Sequence, residues 1–482
     1  MTSLDAVVVG SGPNGLAAAV ALARAGLRVQ VLERSDALGG GVRTAELTLP
    51  GFRHDVCSAV HPLALASEFF RGFALERRVR FAVPDVSFGQ ALDGGRAAIA
   101  YRSLPRTAAE LGRDGAAYAR LIGPLARRAD AVAEFTGAPL LPMPRHPLAF
   151  ARFGLASLEQ AGPWWDARFH GAAAPALLGG VMAHAILPLP SLGAAGAGLS
   201  LTAYAHARGW PIPLGGSQAI ADALVADLLA HGAEVHTGVE VTSLAELPPA
   251  RAVLLDVTPR ALIRMAGERM PAGYRRALER FRYGNGVAKV DVALTDPVPW
   301  TDDRLRRAGT VHLGGTRAEM AAAEKEVARG RHPDSPYVLV SQPSLFDPSR
   351  APADRHTLWA YTHVPAGSRL DRTEAVVRQI ERFAPGFRDT ILATSSMDAA
   401  EVAAYNPNYI GGDISAGEAS LAQLLKRPTV SADPWRTPLP GVYLCSASTT
   451  PGPGVHGMAG WQAALSALRH EFGEREAPSL AP

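Results

Sequence analysis

Residues 5–33, DAVVVGSGPNGLAAAVALARAGLRVQVLE, constrain this chain more than any other stretch. A β-branched apolar run, Ala6–Val9, reads as a strand buried on both faces. GSGPNG follows it, then an Ala/Leu-rich helix closed by Gly26, then a second strand ending on Glu33. Each residue in the turn has a task. Gly10 permits the tight turn, and Gly12 lets backbone approach a pyrophosphate. Gly15 lets helix and strand pack closely. Pro13 and Asn14 open the helix, whose free N–H groups and positive dipole end favour a phosphate. Glu33 is placed to accept hydrogen bonds from a ribose, with Arg34 beside it. The pattern alone is common. Strand, helix and closing acid together predict a dinucleotide-binding βαβ unit.

A second Gly-x-Gly-x-x-Gly, GPGVHG at 452–457, lies near the opposite end of the sequence. GVYLCSAST before it reads as a strand and GMAGWQAALSALRHEF after it as a helix, but no further strand closing on an acid follows. It is therefore expected to be a Gly/Pro-rich loop, not a second dinucleotide site. Through Gly457 and Met458 it feeds a helix N-terminus that faces an electron-rich group. One dinucleotide contacted from both ends of the chain is the expectation.

At 482 residues, two lobes are expected. Apolar residues make up 48 % and the net charge is only +3, so a soluble globular protein is expected and no nucleic-acid partner. Two distant cysteines, Cys57 and Cys445, leave no disulfide framework and no cysteine-based zinc site. The first strand starts almost at the initiator, from which a cytoplasmic protein is the expectation. The 14 histidines show no metal spacing, so no metal site is expected. From His170 to Ala207 no Asp, Glu, Lys or Arg occurs, but Gly179–Gly180, Pro188 and Pro190 interrupt any single span. This stretch predicts a buried or pocket-lining hairpin, with peripheral membrane contact as the second reading and a transmembrane span as the least favoured. If it lines the site, the ligand is an apolar or amphipathic small molecule.

Glycines 39–41 and Arg43, in LGGGVRT, suit a loop wrapping phosphates, so Gly40, Gly41 and Arg43 join the cofactor set. With GFRHD at 51–55, PLGGSQAIADAL at 213–224, FRYGNGVAKVDVALTDPVPW at 281–300, NPNYIGGDISAG at 406–417 and YLCSASTTPGPGVHGMAG at 443–460, the chain resembles the phytoene-desaturase-like flavoproteins, within the flavin amine oxidase superfamily. The resemblance implies non-covalent FAD and an α/β fold. Its Rossmann-type FAD-binding domain would be assembled from residues 1–65, 206–261 and 406–482. A mixed α+β substrate domain would come from 66–205 and 262–405. It also implies an FAD-dependent oxidoreductase of desaturase or oxidase type, with Val241 contacting the adenine side through its backbone. The stretch AEVHTGVEVTSL around Val241 alternates like a strand pair.

Lysine occurs only at 289, 325 and 426. Lys289 sits inside the alternating strand GVAKVDVAL. By spacing alone, Lys289 and Asp291 share the wet face of a surface strand. By resemblance, Lys289 matches the lysine that assists flavin reoxidation by oxygen. His456, in the C-terminal glycine loop, and His61 are the other catalytic candidates. An acid that relatives carry after the last strand is replaced here by Ser446, Ser448 and Thr449, which makes Ser448 a cofactor contact through its hydroxyl. SASTTPGPG supplies no aromatic residue to cage an amine, which counts against simple amine oxidation. Two other readings stand beside dehydrogenation: a redox-neutral flavin-dependent isomerase, and a non-catalytic binding protein on the same scaffold.

Overall fold

The computed structural model describes residues 4–139 and 144–481. Two sheets organise it. The first has five strands in the order Val442–Leu444, Ala252–Leu255, Ala6–Val9, Val29–Leu32 and Glu234–His236, every pair parallel. Val, Leu and Ala fill these strands because helices cover both faces. The Pro13–Arg24 helix lies against the Met458–Ala467 helix, the first glycine motif's helix on the second's. A Cβ on Gly460 would stand 1.8 Å from the Asn14 carbonyl oxygen, so only glycine allows this approach.

The second sheet has seven strands: Ile391–Met397, Gly286–Leu294, His356–Val364, Val338–Ser341, Ala308–Leu313, Val86–Leu92 and Arg96–Tyr101. Its pairs are antiparallel except that between Ala308–Leu313 and Val86–Leu92. Helices of the 104–207 region pack on one face of it. The charge-free stretch folds as a helical hairpin, Ala173–Met182 and Leu192–Ala207, buried over most of its length. Among the described residues no helix is long and apolar enough to cross a membrane.

Two expectations change. AEVHTGVEVTSL gives one short strand, Glu234–His236, and not a pair, because residues 237–243 leave the sheet edge as a loop. The Gly286–Leu294 strand has no wet face. It is flanked by Ile391–Met397 and His356–Val364 and buried throughout, so Lys289 and Asp291 lie inside the protein.

Gly460→Leu is expected to push the two glycine-motif helices apart at a cost of about 1–3 kcal/mol, lowering the thermal unfolding midpoint. Gly273→Ala is the control. Its Cβ meets nothing within 4 Å in the Ala272–Glu279 helix, so the midpoint should hold or rise.

Candidate functional site

One cavity of about 1040 Å³ runs between the two sheets. At one end lies the first glycine turn. Gly10 takes φ +99°, and Gly12 caps the helix, with Pro13 in its first turn. A Cβ on Gly15 would lie 2.1 Å from the Gly10 carbonyl oxygen, and one on Gly12 would lie 2.5 Å from Asp256 Oδ2. Asp256 follows the Ala252–Leu255 strand and accepts the Gly15 N–H at 3.0 Å. Burial raises its carboxyl to about 7 against the pull of the Gly15 amide, and the nearby Glu33 charge adds to the rise.

Glu33 already has protein partners. Oε2 accepts from Ser11 N (2.8 Å) and Ser11 Oγ (2.6 Å), and Oε1 accepts from Ser35 N (2.8 Å) and Arg43 Nη2 (3.4 Å). The Ser11 hydroxyl is the partner most easily exchanged for another donor, since it can rotate away. Gly10, Gly12, Pro13, Asn14, Glu33, Arg34, Gly40, Gly41, Arg43 and Val241 all line this end of the cavity. Gly15 does not. It sits one layer back, holding helix to strand.

The second glycine motif reaches the same cavity from the other side. His456 and Met458 line it, while Gly457, at φ +65°, caps the helix just behind. Met458 N–H donates to His456 Nδ1 at 3.0 Å, so Nε2 carries the proton and donates to Gly452 O at 3.1 Å. Both ring nitrogens are spent on bracing the loop, and burial lowers the imidazole to about 4. Ser448 stands away from the wall, its hydroxyl donating to Ala416 O at 2.7 Å.

His61 lines the cavity, and burial lowers it to about 4. Ser217 Oγ donates to Ser58 O, so His61 Nε2–H donates to Ser217 Oγ at 2.8 Å and Nδ1 is left bare, buried and unpartnered. Lys289 does not reach the wall. It is ion-paired with Asp291, whose other oxygen lies 3.4 Å from His54 Nδ1. Its charge still acts on Cys57, a wall residue whose thiol burial pushes up and Lys289 pulls down.

Beyond the glycine turns the walls are aromatic and aliphatic. Trp359 and Tyr361 come from the seven-stranded sheet, Tyr405 and Tyr409 from the 399–412 region, and Leu192, Gly196 and Leu201 from the helical hairpin. The sequence reading missed Asp256 and His184 as wall residues. The signal for Asp256 was available: an acid directly after a buried strand that neighbours the glycine turn.

A family model described as an NAD(P)-binding Rossmann-like domain matches residues 8–72. The chain is 26 % identical to pyridine nucleotide-disulfide oxidoreductase domain-containing protein 2 of Rattus norvegicus, over 96 % of this chain and 93 % of that one. Among solved structures, a triple mutant of putrescine oxidase superposes with a TM-score of 0.63 at 19 % identity, covering 98 % of this chain and 99 % of that chain. An oxidoreductase from Methanosarcina mazei gives 0.59 at 17 %, covering 97 % and 100 %. The chain has an α/β fold, a Rossmann-like lobe joined to a mixed-sheet lobe, and it shares that architecture with these solved oxidoreductases along nearly its whole length.

Proposed function

We propose that the protein is an FAD-dependent oxidoreductase that dehydrogenates a largely apolar small molecule, with oxygen or another acceptor completing the cycle. One observation carries this reading: a single cavity joins a dinucleotide cradle to an apolar chamber and is lined by glycine motifs from both ends of the chain. The wall fits a large polar-and-aromatic cofactor. Arg34, Arg43 and Arg264 offer charge for phosphates. Asn14 Oδ1, His61 Nδ1 and Trp359 Nε1 are buried polar atoms on the wall with no partner among the described residues, and a bound group would satisfy them. Flavin held by these residues would supply the two-electron acceptor. The protein's part is to hold a C–H bond in place, to exclude water with the hairpin and sheet walls, and to keep the Lys289–Asp291 pair one layer below the wall. Leu158 (59 % exposed) and Leu421 (41 % exposed) stand at the cavity rim, an apolar entrance that suits an apolar or amphipathic substrate and contact with a membrane surface.

The purified protein should show a flavin absorption spectrum that passes into the supernatant on acid precipitation. A colourless protein that refuses added FAD would mean a binding scaffold and not an enzyme. Gly12→Val should abolish flavin binding, since even a Cβ there meets Asp256; retained flavin would overturn the cradle assignment. Lys289→Met should slow reoxidation by oxygen in stopped-flow mixing while leaving flavin bound.

Asp256 makes a pH prediction. Its folded carboxyl titrates near 7, above the ordinary carboxylate range, so the folded protein holds a proton that the unfolded chain has released. Its contribution to stability is present at low pH and is lost as pH rises from about 4 through 7. In flavin-free protein, Asp256→Asn should flatten the fall in thermal midpoint between pH 5 and pH 8. An unchanged slope would show that Asp256 is ionised throughout.

A further inference from the structure

The inner face of the seven-stranded sheet carries a row of directly paired residues. Lys289, Tyr361, Leu339, His312 and Gln90 stand opposite one another on five successive strands. Paired residues point to the same face. With strands about 4.8 Å apart, His312 stands roughly 14 Å from Lys289. Tyr361 and Leu339 line the cavity between them.

His184, at the bend of the helical hairpin, sits on His312. Their Nε2 atoms are 2.9 Å apart and their rings are nearly perpendicular. His184 is half-buried and lines the cavity, and among the described residues its Nδ1 has no partner. Burial holds both imidazoles well below their ordinary range, so both are neutral and each carries one N–H.

The position of those hydrogens follows from Gln90. Its amide nitrogen donates to Gly315 O (3.0 Å) and Ala91 O (3.4 Å), which fixes its carbonyl on the other side, buried and without a donor. His312 Nδ1 is also buried and unpartnered. Both atoms lie beside one spot without a hydrogen bond between them: a Cβ on Gly180 would lie 2.4 Å from Gln90 Oε1 and 2.7 Å from His312 Nδ1. A bare Nδ1 would leave two buried lone pairs beside the same spot, whereas an Nδ1–H sets a positive N–H end near the unpaired carbonyl and is the less costly form. His312 then has a bare Nε2, His184 donates to it through Nε2–H, and His184 Nδ1 is left as an acceptor open to the cavity.

We propose that His184 Nδ1 is a fixed hydrogen-bond acceptor that recognises a hydroxyl or N–H donor at one end of an elongated apolar ligand, with His312 and Gln90 as positioning residues that set its tautomer. That the other end of the ligand reacts near Lys289 rests on the flavin reading above; the hydrogen-bonding assignment does not. The molecule such a site selects is a long apolar chain or ring system with one polar donor remote from the reacting carbon. A hydrocarbon without a polar group does not use the site.

Two measurements test this, and neither needs turnover or a flavin. In the full-length protein with ¹⁵N-labelled imidazoles, assigned with His184→Phe and His312→Phe variants, His184 should show the Nε2–H form and His312 the Nδ1–H form. Gln90→Leu removes the carbonyl and should move the His312 proton to Nε2, turning His184 Nδ1 into a donor. Calorimetric titration with 1-decanol and with its methyl ether, which accepts but cannot donate, should give about tenfold tighter binding of the alcohol, one hydrogen bond's worth. His184→Phe should bring the two within twofold while the ether still binds. Gln90→Leu should lose or reverse the preference. A wild-type His184 carrying its proton on Nδ1, or equal affinity for the two probes, would overturn the assignment. A colourless protein with the expected tautomers and probe preference would sink the flavin reading alone.

Discussion

Asp55 and Arg350 form an ion pair with neither side chain exposed to solvent, and much of the molecule is hung on it. The Arg350 Nη2–Asp55 Oδ2 distance is 2.6 Å, and Asp55 Oδ1 also accepts from Thr44 Oγ1 and Ser217 N, at 2.7 and 2.8 Å. Arg350 Nε donates to the Arg53 carbonyl. Three segments distant in sequence, residues 44–55, Ser217 and Arg350, thus meet at one carboxylate. Removing one partner would leave the other charged and buried, the costly way to break such a pair. The desolvation of Asp55 is large, yet these donors hold it below the ordinary carboxylate range. Ser217, fixed by this node, in turn fixes the His61 tautomer on the cavity wall.

A polar node of this kind explains why stretches with no visible chemistry carried the sequence resemblance. GFRHD contributes Asp55 and PLGGSQ contributes Ser217, and they meet Arg350 from SQPSLFDPSRAP at 341–352. Asp347, in the last of these, accepts the Gly215 N–H at 2.7 Å and adds a second tie to the same glycine turn. These residues touch no ligand in the arrangement described. They tie the 44–55 region, the turn at 215–217 and the 347–350 turn to one another behind the cavity wall.

What could be read from the sequence was local. The βαβ unit at 5–33 combines a strand, a glycine turn, a helix and an acid within one short span, so its physics is complete without the rest of the chain. The charge-free hairpin was legible for a similar reason, because an uncharged stretch broken by glycine and proline must be buried as short helices. Lys289 and Asp291 were not legible by spacing. Alternation gives the shared face, but whether that face is wet depends on what packs over it, and the groups that do, His54 against Asp291 and Cys57 near Lys289, come from over two hundred residues earlier. The acceptor at His184 depends on a glutamine over ninety residues earlier and a histidine over a hundred residues later. No local pattern encodes a tautomer.

The Met458–Ala467 helix packs on the helix of the first glycine motif, and Val442–Leu444 adds the last strand beside Ala252–Leu255. This has a consequence for biogenesis. A ribosome makes the cradle at residues 10–15 early, but the surface that completes it comes from residues 442–467, over four hundred residues later. Until then the Ala252–Leu255 strand is an uncovered sheet edge, and the first helix shows solvent an Ala-rich face with nothing packed on it. The cradle is therefore complete only when residues 442–467 have docked, and a chain cut short before Val442 would keep the glycine turn but lose the helix packed on it.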